Sequence, residues 1–389
     1  MATIAENLTL LKSTKAGIKA AIEAKGVSNV GDKFSDYPAK IASIPTGGST
    51  SGVSQWTGTV DRAGLTELGW STTDIDNFQA NVRWYDWQDP DYAVVDADKS
   101  ITAINQYPNN KNVRYAKMLD TSQVTNMSAM FNDCSNLISI PTLDTSKVTD
   151  MQSMFYGCTS LTTMPALDTS KVTNMNSMFN QCTSLASIPA LDTSKVTGMN
   201  NMFVSCSSLT SIPTLDTSQV TGMYRMFNSC TSLASIPALD TSKVTTMQSM
   251  FQDCTSLTSI PALDTSQVTN MQSMFNDCTS LTSIESIDFS SCTNTSYMFP
   301  SYLNYRKLTS IHVTGSISFS WTSDGFSSIP NLDFNSIKSI LEAMNRCTNP
   351  ETAKTMSFKA TMTDQDSQLT NLVSECNGKG WTITGLTIN

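Results

Sequence analysis

A 24-residue repeat dominates this chain of 389 residues. Seven copies follow one another in unbroken register over residues 119–286, and the copy at 167–190 reads LDTSKVTNMNSMFNQCTSLASIPA. One Asp and one Cys recur in every copy. They are Asp120, Asp144, Asp168, Asp192, Asp216, Asp240 and Asp264, and Cys134, Cys158, Cys182, Cys206, Cys230, Cys254 and Cys278. A fixed short period predicts a solenoid, in which a coil buries its apolar residues only against its neighbours.

Each copy predicts one short helix followed by one short extended segment. Four apolar residues of a copy are spaced i, i+3, i+4 and i+7, which is the spacing of one helix face. In the copy above they are Met175, Met178, Phe179 and Cys182. The sequence LASIP at 185–189 favours an extended segment that ends at its proline, because proline donates no backbone hydrogen bond. Eight coils at the strand spacing make a rod roughly 35–40 Å long.

Stacked coils place the Asp residues in a column, where their charges repel. One interpretation is that each Asp accepts hydrogen bonds from the backbone of its own turn, which favours the charged form. Lys residues three positions later, such as Lys147, offset part of the repulsion. The alternative is a column of calcium ions, although the Gly-Gly-x-Gly-x-Asp pattern of calcium-binding solenoids is absent. We therefore predict no metal site here.

The Cys column also has two interpretations. A Cys that shares a helix face with Met and Phe is most simply a small buried apolar residue. Zinc requires ligands that converge on one point. The two nearest Cys residues, Cys278 and Cys292, are 14 residues apart, and the one His is His312. Disulfide bonds between coils remain open, because the spacing of stacked coils falls within the permitted Cα range.

The consensus Met-Phe-x-x-Cys-x-Ser-Leu-Thr-Ser-Ile-Pro-x-Leu-Asp-Thr-Ser-x-Val-Thr-x-Met resembles the BspA-type leucine-rich repeats. It is especially similar to the surface-protein variant built on Asp-Thr-Ser-x-Val-Thr-Asn-Met-x-x-Met-Phe. The resemblance covers residues 119–311, about half of the chain. It implies an α/β repeat solenoid of leucine-rich-repeat type, as found on bacterial and parasite adhesins and on phage appendages. It also implies binding and not catalysis.

Composition narrows the function. Charged residues make up 15% of the chain, the net charge is −9 and no basic stripe is present, which argues against nucleic-acid binding. No run of 18 apolar residues predicts membrane insertion. The N-terminus lacks the pattern of a secretory signal, so we expect synthesis in a host cytoplasm and reduced thiols. No nucleophile motif or phosphate loop is present, so we expect neither an enzyme nor a cofactor.

Residues 1–45 predict a helical module, and residues 46–54, rich in Gly, Ser and Thr, predict a flexible linker. Apolar residues of the module alternate spacings of three and four. The predicted oligomerisation and attachment residues are Ile4, Leu8, Leu11, Ile18 and Ile22. Two interpretations stay open, a helix packed on its own small domain and a parallel dimeric or trimeric bundle. The module resembles the N-termini of phage tail and fibre proteins, which implies attachment to other virion proteins.

Residues 55–118 concentrate aromatic side chains and predict a cap over the first coil. The alternative is that Trp84, Tyr85 and Trp87 form a platform on which sugars stack. A second group of candidate ligand-binding residues lies past the regular repeats. It comprises Tyr302, Tyr305, Arg306 and Trp321.

After residue 286 the repeat decays into a degenerate eighth coil that ends at 311. Residues 312–389 predict an α/β cap. Its elements are a helix at 335–344, a strand at 355–361, a helix at 367–377 and a strand at 381–384.

These observations favour a phage virion protein, a head or tail fibre or its tip, that displays the solenoid towards a host-surface glycan or protein. The alternative from a different class is a bacterial surface adhesin of the BspA type. A glycan-degrading enzyme is a third alternative. Because the seven coils are so alike, we expect selective recognition at the ends of the rod, in the aromatic caps.

Overall fold

The computed structural model describes residues 121–140, 142–300, 305–321, 326–347, 354–364 and 367–389, together with the backbone of four short strands upstream of them. These strands are β1 (Val53–Gln55), β2 (Trp84–Asp86), β3 (Tyr92–Val95) and β4 (Tyr115–Met118). β1 pairs with β2 antiparallel, and β3 pairs with β4 parallel. The predicted module at 1–45 lies outside the described residues, as does most of the predicted linker.

Successive coils stack in register, which confirms the predicted solenoid. Isolated parallel bridges join each coil to the next at a fixed position. The bridged residues are Asn126, Asp150, Asn174, Gly198, Gly222, Thr246, Asn270 and Asn294. Eight Phe rings, from Phe131 to Phe299, stack along the axis with centroids 5.5–5.9 Å apart. A repeat of identical apolar residues therefore becomes a set of continuous buried columns.

The predicted helix in each coil is wrong. No α-helix occurs among the described residues from 121 to 300, and the segment from Met175 to Cys182 is a series of turns. Ser177 has φ of 57° and Gln181 has φ of 62°, in the left-handed region. Alternate N–H groups of the segment leave their own coil, since Ser177 donates to the carbonyl of Asn200 at 2.8 Å. Hydrogen bonds between coils thus replace the i to i−4 bonds that a helix requires.

Strands longer than one bridge appear only towards the C-terminal end of the described solenoid. β5 (Ser259–Ile260), β6 (Ser283–Asp288) and β7 (Ser310–Thr314) form a parallel three-stranded sheet in that order. These strands overlap the predicted extended segments of their coils. In the preceding described coils the same segment forms no strand.

The C-terminal residues close the rod with the predicted order of helix, strand, helix and strand. The elements are α1 (Phe334–Asn345), β8 (Lys354–Met362), α2 (Gln368–Gly378) and β9 (Trp381–Ile388), and β8 pairs with β9 parallel. Asp333 caps α1 by accepting a hydrogen bond from the N–H of Ser336 at 2.7 Å. The hydroxyl of Ser336 accepts from the N–H of Ile311 at 2.8 Å. A helix side chain therefore satisfies the free edge of β7.

Candidate functional site

The Asp column is held by hydrogen bonds within each turn, as one of the two interpretations predicted. Oδ1 of Asp168 accepts from the N–H of Ser170 at 3.0 Å and from its hydroxyl at 2.7 Å. The hydrogen bonds from Ser170 hold the pKa of Asp168 below its ordinary value, and Lys171 adds to the effect. The same serine bonds lower the pKa of Asp192, Asp216 and Asp240. The carboxylates remain charged, and each accepts hydrogen bonds from the turn of its own coil.

The Cys column runs through the buried core. All ten Cys residues of the chain are free and buried. The thiol of Cys182 donates to the carbonyl of Phe155 in the preceding coil at 3.1 Å, and the same contact recurs in the regular coils from Cys158 to Cys278. Burial raises the pKa of Cys182. These neutral thiols are structural hydrogen-bond donors, because the thiolate is the reactive form.

Two of the predicted ligand-binding residues lie in the core instead. Tyr305 is 1% exposed and Trp321 is 4% exposed. Trp321 packs among aromatic rings, with the Phe326 centroid 4.7 Å away. A buried ring has no free face on which a sugar can stack. The large aromatic residues after the repeats therefore close the end of the solenoid.

The structure describes the remaining predicted ligand-binding residues only in part. Arg306 is exposed, and its carbonyl accepts a hydrogen bond from Asn331 at 2.7 Å. Trp84 and Tyr85 belong to β2, of which only the backbone is described. Trp87 and Tyr302 lie outside the described residues, and so do all five predicted oligomerisation residues. The sugar-stacking platform stays a prediction.

A cleft opens where the Asp column meets β7. Its volume is ≈ 300 Å³, and its lining includes Asp264, Asp288, Ser286 and Thr314. Oδ1 of each carboxylate is bonded to its own turn, at 3.0 Å to the N–H of Ser266 and at 2.7 Å to that of Ser290. The cleft offers oxygen atoms to a polar ligand. Among the described residues no three His, Cys, Asp or Glu side chains are grouped to hold a metal ion.

The face formed by the turn segments carries three large side chains that the other copies lack. Arg225 is exposed and lies over the ring of Tyr224, 5.2 Å from the centroid. The hydroxyl of Tyr156 accepts a hydrogen bond from Gln181 at 3.1 Å. All three belong to the turn segments of their copies, so they share one face of the rod.

Tyr297 is a further residue of this face, and it holds the position of Ser273 in the next copy. Its side chain is 50% exposed, and among the described residues it is the one large apolar side chain that is exposed. The sequence signal for its exposure was its place in the repeat. The equivalent residues of the other copies are Ala, Ser, Asn and Arg, so a large aromatic residue stands out there.

Comparisons with solved structures gave distant likenesses. The leucine-rich repeat protein of T. pallidum is 20% identical, with 50% of this chain and 85% of that chain covered and a TM-score of 0.28. A leucine-rich repeat protein of Eubacterium ventriosum is 15% identical, with coverage of 67% and 98% and a TM-score of 0.22. The functional domain of InlJ from Listeria monocytogenes, which includes a cysteine ladder, is 14% identical, with coverage of 69% and 70% and a TM-score of 0.18. The assignment of the fold rests on the coil geometry above.

Sequence comparisons gave one family. A search of curated proteins found no match. A family model described as "Mycoplasma protein of unknown function, DUF285" matches residues 100–212, 162–256 and 208–311, so its overlapping matches cover more than half of the chain. No helix of the described residues is both long and apolar enough to cross a membrane. By the extent of these matches, the chain belongs to the family described as Mycoplasma protein of unknown function, DUF285.

Proposed function

We propose that this protein is an adhesion and display protein without catalytic activity. The observation that carries the proposal is the strict division of each coil into an apolar interior and a hydroxyl- and amide-rich exterior. Backbone hydrogen bonds join each coil to the next, so exterior groups recur at a constant spacing. Such a surface suits a repetitive ligand, because several weak contacts made together raise the overall affinity.

The ligand class that fits this exterior is a surface glycan or glycoprotein. Hydroxyl and amide side chains exchange hydrogen bonds with sugar hydroxyl groups. The test is binding of the full chain to immobilised host-surface extracts, before and after periodate oxidation of their sugars and before and after proteolysis. Loss after periodate supports a glycan, and loss only after proteolysis indicates a protein receptor. Binding to neither extract, or release of soluble sugar products, would contradict an adhesin without catalytic activity.

For the carrier we propose a phage particle, with the solenoid on a head or tail fibre. The support is the resemblance of residues 1–45 to N-terminal modules of phage tail and fibre proteins. The module would join other virion proteins and assemble the chain into a dimer or trimer through Ile4, Leu8, Leu11, Ile18 and Ile22. Mass spectrometry of purified particles tests the location. Light scattering of the full chain with Leu8→Lys and Leu11→Lys tests the assembly, which the two charges should disrupt.

A second candidate is a bacterial surface adhesin, and the family match favours it. The family is described by a bacterial genus, and the match covers the repeated part of the chain. Both candidates give the solenoid the same function, which is adhesion. Surface biotinylation of the producing bacterium separates them, because an adhesin is labelled on intact cells and an assembled fibre protein is recovered with particles.

A further inference from the structure

A strip of larger side chains crosses four coils on the turn face. We define the strip by Tyr224, Arg225, Gln248, Gln272 and Tyr297. Tyr224, Gln248 and Gln272 hold one position in successive coils, and Arg225 and Tyr297 hold the next position, three coils apart. At a coil spacing of about 4.8 Å, roughly 14 Å separate the two ends. The strip is therefore long enough to contact several units of a polymer.

Backbone hydrogen bonds join each coil under the strip to the next coil. The N–H of Arg225 donates to the carbonyl of Gln248 at 3.0 Å, and the N–H of Ser249 donates to that of Gln272 at 2.8 Å. Ser249 and Ser273, which lie between Arg225 and Tyr297 in their column, are buried. The exposed side chains of the strip thus project from a fixed base, so little backbone entropy is lost when a ligand binds.

The two Gln side chains are oriented by the coil that follows each of them. Oε1 of Gln248 accepts from the amide of Asn270 at 3.0 Å, and Oε1 of Gln272 accepts from the amide of Asn294 at 3.2 Å. This bond orients each Gln amide, whose NH₂ group carries two further donors. Together with the guanidinium group of Arg225 they form a row of hydrogen-bond donors.

The charge of the strip is positive in a protein whose net charge is −9. Arg225 is the one Arg within residues 119–286. The nearest acidic residues along the same turn segments, Asp253 and Asp277, are four positions away from Ser249 and Ser273. Burial, followed by the nearby Asp277, raises the pKa of Asp253. These two residues disfavour an anionic ligand beside them, so we expect the ligand next to Arg225.

From this arrangement we propose that the strip is a binding site for an acidic polysaccharide. Arg225 pairs with a carboxylate or sulfate of the polymer, the Gln amides donate to its ring and hydroxyl oxygens, and Tyr297 stacks against a sugar face. Tyr224 holds the guanidinium group in place from below. The proposal rests on the adhesion function above and names the ligand class for one face of the rod. A polymer suits the strip because the donors recur at each coil.

The repeat itself supplies substitutions that keep the fold. Other copies hold Ser at the equivalent position, namely Ser177, Ser249 and Ser273. Arg225→Ser and Tyr297→Ser introduce that residue. Tyr156→Asn, which restores the residue of the equivalent Asn180, is the matched control because it lies on the same face but off the strip. Thermal unfolding of each variant confirms that the fold is retained.

The experiment measures binding of the full chain by biolayer interferometry to polygalacturonate, with dextran as the neutral polymer and poly-glutamate as the acidic peptide. We expect binding to polygalacturonate that weakens about tenfold with Arg225→Ser and with Tyr297→Ser, and is unchanged with Tyr156→Asn. Binding should also weaken as sodium chloride rises, because the charge pair is exposed.

Three results would overturn the proposal. They are equal binding to dextran, binding to poly-glutamate as tight as to polygalacturonate, and affinity that neither strip variant lowers. The first two would leave adhesion to a neutral glycan or to an acidic protein in place. Failure of this site is therefore distinguishable from failure of the adhesion function. The adhesion function would be contradicted if the chain bound nothing in host extracts.

Discussion

The hydroxyl group of Tyr305 donates a 3.0 Å hydrogen bond to the backbone carbonyl of Phe275. In the preceding coil the thiol of Cys278 makes the same contact with the carbonyl of Phe251, also at 3.0 Å. Tyr305 lies one repeat plus three residues after Cys278, so it holds the Cys position of the last coil. Its oxygen also accepts from the N–H of Asp277 at 3.2 Å. Tyr305 thus ends both the thiol column and the turn ladder.

We predict that Tyr305→Phe lowers the free energy of unfolding by about 1–3 kcal/mol, because it leaves buried backbone groups without their partner. Urea denaturation followed by circular dichroism measures this change. Tyr156→Phe removes a hydroxyl at the surface and should change the free energy by less than about 0.5 kcal/mol. Equal effects of the two substitutions would show that Tyr305 closes the rod by packing alone.

The thiol column predicts loss of stability in alkaline solution. Burial raises the pKa of Cys134 and of Cys254 to about 12, and raises that of the other column thiols. Above about pH 8.5, thiols of the unfolded chain lose protons that the folded chain keeps. The unfolded state then binds fewer protons, so stability falls as pH rises.

Each thiol contributes about 1.4 kcal/mol per pH unit above that point. Seven such thiols lie in one column, so the combined loss is large against the stability of a typical domain. We therefore expect urea midpoints to fall steeply between pH 8.5 and 10. Cys206→Ala should reduce this slope, whereas Val196→Ala, a cavity in the same coil, should lower the midpoint at every pH and keep the slope. Identical slopes would be evidence against the thiols as its cause.

Two junctions between coils use a different hydrogen-bond pattern from the rest. Where an Asn holds the bridged position it caps its own turn, as Asn174 accepts from the N–H of Asn176 at 3.1 Å and donates to Gln152 at 3.0 Å. Gly198 lacks that side chain, and the N–H of Asn200 donates instead to Oδ1 of Asn176 at 2.8 Å. A Cβ at 198 would lie 2.7 Å from the amide nitrogen of Asn176.

We predict that Gly198→Asn and Asn176→Gln are each destabilising and that the double variant recovers most of the loss. The double variant recreates the Gln152 and Asn174 pair, in which the later Asn caps its own turn. A double-mutant cycle measured by urea denaturation should show a coupling of about 1–2 kcal/mol. The equivalent pair Asn200 and Gly222 provides an independent repeat of the measurement. Additive effects would exclude the coupling.

The same pairing rule predicts which coil can be deleted. Removing residues 191–214 brings Gly222 after Asn176, which preserves an Asn and Gly pair. Removing 167–190 instead brings Gly198 after Gln152, so the N–H of Asn200 loses its acceptor. Both deletions remove 24 residues in register, but the second should be less stable than the first by about 1–3 kcal/mol. Comparison of their thermal and urea unfolding tests the rule, and equal stabilities would refute it.

Several features could be predicted from the sequence because they depend on periodicity. The constant 24-residue spacing determines that identical residues meet, so the apolar columns and the buried Cys follow from the repeat alone. The hydrogen bonds of Asp168 are local, between residues two apart, and turn chemistry predicts them. The cap elements after residue 333 follow the same logic, because each carries its own capping residue or alternating pattern.

Other features depended on contacts between coils. The i, i+3, i+4, i+7 spacing in 175–182 fits a helix and a two-αL turn segment equally well, since both direct those side chains inward. The carbonyl groups of the next coil decided the outcome by accepting the N–H of Ser177 and Phe179. Periodicity records which residues face inward but not the partners of the backbone.

The sequence by itself thus determined the solenoid, its register and its buried columns, because a strict repeat allows one pattern of stacking. Only the tertiary structure decided how the C-terminal end is used. Tyr305 and Trp321 resemble exposed anchors in the sequence, yet the last coil needs large side chains to cover its open apolar face. Tyr297 keeps the register of the repeat, yet it is 50% exposed, whereas Ser273 one coil earlier is buried. Exposure at the end of a rod depends on what packs there, which the repeat does not encode.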